Sequence, residues 1–306
     1  MPELPEVERV RLTLAPILAT RRIDTARLLR RDIARGVRRP ADLLAGCQDV
    51  RAERRGKQLA LFAPDGRTLA VHLGMSGQFF WVAPGRRIER PDHVHAVWSL
   101  REGRRPGGRL VFRDPRRFGG LWAFPSEEAH EAARWSRLGP DALSIDGRTL
   151  GARLGASRRS LKAALLDQAV LAGVGNIYAD EALFRAGLAP LREAGSLSAS
   201  EQERLASEIT GVLGESIASG GSSLRDYRDG LGQAGAFQGR HAVYGRAGEA
   251  CLRCGSALAS GQVAQRTTVW CPSCQPAPAK NRRSNGGFGA RRKPVPTHRF
   301  STLPGE

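Results

Sequence analysis

The chain opens Met1-Pro2-Glu3-Leu4-Pro5-Glu6-Val7-Glu8, so loss of Met1 would leave Pro2 as a secondary amine with Glu3 beside it. An α-amino group has a pKa of about 7.7–8.0, against about 10.4 for a lysine side chain, so far more of it is neutral near pH 7. A neutral amine can attack an electrophilic carbon and collapse to an iminium, and a neighbouring carboxyl can pass the protons involved. Pro2 and Glu3 are therefore a candidate nucleophile and acid/base. A second chemical group lies near the other end, where Cys251-Leu252-Arg253-Cys254 and Cys271-Pro272-Ser273-Cys274 are separated by sixteen residues. This spacing fits four thiolates around one Zn2+, which leaves no open coordination position and implies a structural metal. Between the two knuckles Gly261–Trp270 reads as a β-hairpin, and Arg266 on so rigid a ribbon suits a phosphate clamp.

Other segments admit two readings each. Gly173-Val174-Gly175-Asn176 precedes a helix, and is either a backbone cradle for a phosphate at the positive helix end or ordinary helix punctuation. Asp114-Pro115-Arg116-Arg117-Phe118-Gly119-Gly120 is either a wedge that enters a duplex beside an extruded base or a β-turn with a core Phe. Met75, within His72-Leu73-Gly74-Met75-Ser76-Gly77, is core filler or an exposed probe, and Lys57 is a phosphate contact or a strand-edge gatekeeper.

These groups need a scaffold, and composition bounds it. With 306 residues the chain can hold two or three domains, and 41% hydrophobic residues are ordinary for a folded protein. A balance of 48 Lys+Arg against 30 Asp+Glu, net +18, favours polyanionic partners, nucleic acid first. A G+C-rich genome would raise the arginine count, but it would not make the acids lag so far. No stretch is apolar enough to span a bilayer and the acidic start lacks signal-peptide character, so a cytoplasmic, nucleoid-associated protein is expected. Five cysteines then argue for metal or free thiols over disulfides, and Cys47 reads as a small buried hydrophobe.

Val7, Val10, Leu14 and Ile17 recur at helical spacing, predicting a helix that ends or kinks near Pro16. Period-two runs follow at Lys57–Ala63, Thr68–Leu73, Gln78–Val82, His93–Leu100, Arg109–Arg113 and Gly120–Phe124, as in an antiparallel sandwich. Helical periodicity begins at Ser126, with a stop at Gly139-Pro140, and dominates to about residue 219; Ser198-Ala199-Ser200-Glu201 fits a capping box before the stripe Leu205, Ile209, Val212, Leu213 and Ile217. Eight glycines between 220 and 248 mark a long loop. The segment 276–306 carries seven basic residues against Glu306 and little apolar content, so disorder is expected there.

Taken in order, the opening octapeptide, Arg55-Gly56-Lys57, His72 to Gly77, Asp92-His93-Val94, Asp114 to Gly119, Gly173 to Glu181, Gly221 to Tyr227, Tyr244-Gly245-Arg246 and the cysteine pairs resemble the bacterial formamidopyrimidine-DNA glycosylases over residues 2 to about 275. The resemblance implies an α+β multidomain fold: an N-terminal β-sandwich with an N-terminal helix (1–125), a helix-two-turn-helix domain (126–240), a zinc ribbon (241–275) and the basic tail (276–306). It implies that Pro2 attacks C1′ of the damaged nucleotide, that Glu3 is the general acid/base and that Glu6 is a second acid in the pocket. Lys57, Asn176 and Arg266 match phosphate contacts, Lys57 and Arg266 also belonging to the catalytic set. Met75, Arg116 and Phe118 would fill the void left by base flipping, with His72 and His93 among the DNA-binding positions. Cys251, Cys254, Cys271 and Cys274 would hold one structural Zn2+.

The implied activity is removal of oxidised purines from duplex DNA through a Pro2 Schiff base, followed by β,δ-elimination at the abasic site, by a monomer. The loop at about 220–239 and the Leu4-Pro5 pair favour 8-oxoguanine and formamidopyrimidines. The alternatives are an endonuclease VIII-like enzyme for oxidised pyrimidines, or a zinc-ribbon protein that binds damaged DNA without cutting it. The tail and the hairpin extension Arg101–Gly108 depart from the family pattern.

Overall fold

Helix α1, Leu4–Ala19, enters between the two halves of the protein, whose computed structural model describes residues 2–277. The tail expected over 276–306 lies, from residue 278 on, outside the described residues. Leu4 packs into a helical core, while Val7, Val10, Leu14 and Leu18 pack into a β-sandwich core with Leu59, Leu61, Phe79, Trp98 and Phe112. The helix does not stop at Pro16. Pro16 faces solvent, and burial of Ile17 and Leu18 holds the last turn despite the missing N–H.

The sandwich has two sheets. One orders β1 (Arg22–Leu28), β7 (Val94–Glu102), β8 (Arg105–Arg113) and β6 (Gln78–Val82), all antiparallel. The other orders β2 (Ala34–Arg35), β9 (Gly120–Phe124), β5 (Thr68–His72), β4 (Gln58–Phe62) and β3 (Arg51–Arg55), with only β2 and β9 parallel. Alternation decides which face is buried: Ala96, Trp98 and Leu100 of β7 point inward. Strand β4 is buried on both faces, because Ala60 and Phe62 meet Trp135 on the outer side. The extension at 101–108 continues β7 and β8 to a two-residue turn, with Glu102 paired to Arg105.

The helices are α2 (Glu127–His130), α3 (Gly147–Leu154), α4 (Leu161–Leu166), α5 (Asn176–Arg185) and α6 (Ala199–Ala218). Ser126 caps α2 as its sequence predicts, but the helix passes into a π turn and ends at Trp135, short of Gly139. Ser198 and Glu201 form the expected box on α6, and Leu205, Ile209, Val212 and Leu213 are buried around Tyr178, Leu183 and Phe237. Strands β10 (Ala259–Val263) and β11 (Arg266–Trp270) form the ribbon, whose small core docks on Phe184 of α5. Among the described residues no helix is long and apolar enough to cross a membrane.

Candidate active site and nucleic-acid interface

The first residues are held by a helix far away in sequence. Glu3 sends its carboxylate to the N-terminus of α5, accepting the N–H groups of Gly175 (2.7 Å), Ile177 (2.9 Å) and Tyr178 (3.5 Å). Those are the orphan donors of a helix start, and a carboxylate suits the positive end of the helix dipole. Leu4 donates its N–H to Gly173 O at 3.1 Å. Both glycines are required by this approach: a Cβ on Gly173 would collide with Leu4, and one on Gly175 with the Glu3 carboxylate. The glycine run therefore makes room for the protein's own N-terminus, and the anion at this helix end is Glu3. To the two readings considered from sequence, a phosphate cradle or helix punctuation, the structure adds a third use of these glycines, close approach of Glu3 and Leu4.

Glu6 lies beneath. It accepts the N–H of Glu3 at 2.8 Å, the Tyr178 hydroxyl at 2.6 Å and the Ser222 N–H at 2.8 Å. Burial and the neighbouring Glu3 charge raise its pKa above the ordinary carboxylate value, while these three donors pull the other way. Because the peptide joining Pro2 to Glu3 supplies one donor, the Glu6 carboxylate is within one residue of the buried Pro2. Two carboxylates, Glu3 and Glu6, are thus fixed close to Pro2 in the chain.

Lys57 approaches on the turn between β3 and β4. Asp141 fixes that turn, accepting the Gly56 N–H at 2.8 Å and the Arg54 guanidinium at 2.6 Å. Burial depresses the Lys57 pKa, the Glu3 and Glu6 charges oppose this, and the Arg266 charge adds to it. Lys57 and Arg266 are thus like charges close enough to repel, an arrangement that an anion relieves. Arg266 is exposed and follows a two-residue hairpin turn, Ala264-Gln265, with φ of +48° and +58°. Such a turn normally takes glycine or asparagine, so this hairpin holds its tip against a local preference.

The hairpin is fastened from below. Asn176 donates its side-chain amide to Thr267 O at 3.0 Å. Fully buried Lys162 reaches Thr267 O (3.1 Å), Thr268 Oγ1 (2.8 Å) and Asp180 Oδ1 (2.7 Å). Burial raises the Asp180 carboxyl to about 7, with Lys162 opposing the rise.

Met75 and Phe118 stand in solvent, 42% and 56% exposed, so neither is core filler. Asp114, itself fully buried, ties their two turns together, accepting from Ser76 Oγ at 2.6 Å and the Gly119 N–H at 2.7 Å. The turns touch through backbone, since a Cβ on Gly74 would strike Phe118 and Gly119. Arg116 lies over the Phe118 ring at 4.7 Å. His72, half-buried at the end of β5, accepts the Gly74 N–H at Nδ1 (3.2 Å), which leaves Nε2–H to donate outward. Burial, then Arg134 and Lys57, lower its pKa to about 4, so it is neutral at physiological pH. His93 is exposed with φ of +60°, and its carbonyl accepts the Asp114 N–H at 3.0 Å.

Pro2, Glu3, Glu6, Lys57, Asn176 and Arg266 thus gather where sandwich, helices and ribbon meet, with Met75, Arg116, Phe118, His72 and His93 grouped around Asp114. Tyr178, Ser222, Lys162, Asp180 and the organising role of Asp114 escape sequence reasoning. The available signal is the set of polar side chains at Tyr178, Asp180 and Glu181, on faces of α5 that are wholly buried.

In the ribbon, the four Sγ atoms lie within 4.8 Å of one another, with Cys251–Cys274 at 3.9 Å and Cys254–Cys271 at 3.5 Å. A tetrahedral Zn2+ with bonds of about 2.3 Å needs S···S edges of about 3.8 Å, whereas a disulfide needs about 2.05 Å. The set fits one structural Zn2+. The N–H groups of Arg253 and Cys274 point at Cys251 and Cys271 sulfurs, both at 3.4 Å, as suits thiolates.

A sandwich entered by an N-terminal helix, a helix-two-turn-helix unit and a four-cysteine ribbon, all meeting at the chain's first residues, define a class of three-part proteins. Family models agree part by part: the formamidopyrimidine-DNA glycosylase N-terminal domain matches residues 1–121, its H2TH domain 138–228, and the zinc finger found in FPG and IleRS 248–277. The chain belongs to the formamidopyrimidine-DNA glycosylase family. It is 42% identical over 279 residues to the formamidopyrimidine-DNA glycosylase of Desulfitobacterium hafniense and 43% over 280 residues to that of Geobacillus kaustophilus, each match covering 90% of this chain and all of the relative. The crystal structure of MutM (Fpg) from Thermus thermophilus superposes with TM-score 0.78 at 42% identity, covering 91% of this chain and all of that one. Lactococcus lactis Fpg in complex with DNA containing an abasic site gives 0.79 at 31% identity, covering 90% and 100%.

Proposed function

We propose that the chain excises 8-oxoguanine and formamidopyrimidines from duplex DNA and then cleaves the abasic site. The observation that carries this reading is the seat of the first residues, with Glu3 and Glu6 fixed next to buried Pro2 and like-charged Lys57 and Arg266 close by. Relatives of this fold were solved with DNA containing Fapy-dG and carbocyclic 8-oxo-G, as well as an abasic site. We place the protein in the bacterial cytoplasm with the nucleoid.

After Met1 is removed, the Pro2 nitrogen bonds to C1′ and the glycosidic electrons leave with the base, which takes up a proton. Ring opening at O4′ gives the iminium. Loss of a C2′ proton expels the 3′-phosphate, a second elimination expels the 5′-phosphate, and water releases the sugar remnant from Pro2. Glu3, fixed on the α5 N-terminus, serves these proton transfers, and Lys57 and Arg266 hold the flanking phosphate. Met75, Arg116 and Phe118 occupy the gap left by the flipped nucleotide, offsetting part of an unstacking cost of a few kcal/mol. Zn2+ on the four cysteines would fix the ribbon and so the aim of Arg266.

Borohydride with an 8-oxoguanine duplex should trap a covalent adduct whose mass and attachment point lie at Pro2. Absence of an adduct from protein with a free Pro2 terminus overturns the reading. Faster cutting of a competing thymine glycol duplex would move the substrate class to oxidised pyrimidines.

A further inference from the structure

Glu6 ends a chain of hydrogen bonds that leaves the site and runs into the segment 220–241. The Tyr178 oxygen, whose proton goes to Glu6, lies 2.6 Å from Ser216 Oγ on α6 and 3.2 Å from Ser222 Oγ. Ser222 Oγ lies 3.1 Å from His241 Nε2. Ser222 and His241 stand near the two ends of the segment, and Tyr178, Ser216, Ser222 and His241 are all buried. A carboxylate only accepts and a phenol has one proton, so Tyr178 must donate to Glu6 and accept from the serines. With Nε2–H on His241 every bond points the same way, from His241 through Ser222 and Tyr178 to Glu6.

The segment also touches Glu6 directly. Gly221, with φ of +87°, brings the backbone so close that a Cβ would lie 3.1 Å from both Glu6 Oε1 and the Tyr227 ring, and the next N–H, that of Ser222, is the third donor to Glu6. If the segment lifted, Glu6 would keep two of its three donors and Tyr178 would lose one of its two serine partners. A buried carboxylate stripped of donors is costly, so segment closure and Glu6 placement stabilise each other.

We propose that Tyr178 and Ser222 are positioning residues that make the placement of the Glu6 carboxylate beside Pro2 depend on closure of the 220–241 segment. The inference rests on the proposed role of Pro2 and Glu6. The Tyr178 and Ser222 side chains do not touch Glu3 or Pro2; they act through Glu6.

The test compares an 8-oxoguanine duplex with a duplex carrying a preformed abasic site, which offers the segment no base to close over. Ser222→Ala should lower kcat on 8-oxoguanine about tenfold with KM changed less than about threefold, and leave abasic-site cleavage within about threefold. Ser222→Thr, which restores the hydroxyl, should recover most of the loss. Tyr178→Phe should fall in the same direction, and if it does not fold the Ser222 pair decides. Equal losses on both substrates, a raised KM at unchanged kcat, or no recovery with Ser222→Thr would overturn the inference. Wild-type protein inactive on both duplexes would instead overturn the proposed activity.

Discussion

The seat of the N-terminus and the Met75/Phe118 wedge are each organised by a buried carboxylate, used in opposite ways. Glu3, the proposed acid/base, recruits N–H groups from a helix more than 170 residues on, so its position is set by tertiary structure. Asp114 has no part in the proposed chemistry. It ties two turns so that two apolar side chains stand in water, where the hydrophobic effect alone would not leave them. The proposed acid/base is thus buried and saturated with donors, while the proposed wedge is exposed on a stiff base.

The largest test of that contrast is Glu3→Gln. Rates of base excision should fall by about 10²–10⁴, as for loss of a general acid/base, while stability falls by only about 1–3 kcal/mol from the poorer cap. Single-turnover kinetics alongside thermal melts check this, and a purely structural Glu3 would show the stability loss without the rate loss. Phe118→Ala should slow excision about 10–100-fold, through the unstacking it no longer offsets, with an unchanged melt because the ring is exposed. Asp114→Asn should do less to the rate, several-fold, but lower stability by about 1–3 kcal/mol, reversing the Phe118 pattern in the same two assays.

The smallest effect is a pH control remote from both regions. Burial lowers His130 to about 4, among Phe62, Phe124 and Trp135, with both ring nitrogens unpartnered. An unfolded histidine near 6.5 binds its proton first, so this contribution to stability is whole above pH 6.5 and fades as pH falls towards 4. His130→Phe should therefore show a shallower drop in Tm from pH 7 to 4.5 than the wild type.

Much of the sandwich is legible in the sequence because Ala96, Trp98 and Leu100 of β7 alternate with less buried residues, and because β5, β6 and β9 are short apolar runs. Strands β1 and β3 are not legible, since Arg22, Arg51, Arg54 and Arg55 mask any period; their apolar partners are across the sheet, at Leu100 and Leu59 to Phe62. In the site, Pro2 with Glu3 and the cysteine spacing are local patterns and can be read. Glycine before Asn176 reads as a phosphate cradle or as helix punctuation, because nothing nearby in the chain reveals that Glu3 approaches there. The exposure of Met75 and Phe118 is equally hidden, being decided by Asp114 on one turn and Ser76 on the other.

Leu4 belongs to one core and Val7 to another, and this makes α1 a ruler laid between the two. A single residue inserted between them would turn everything before it by about 100° and shift it by about 1.5 Å along the helix. Leu4 would leave its slot against Gly173, and Glu3 would swing off the end of α5. The count of residues between these two core contacts is therefore as fixed as any side chain around Glu3, because it sets where one core ends and the other begins along a single helix.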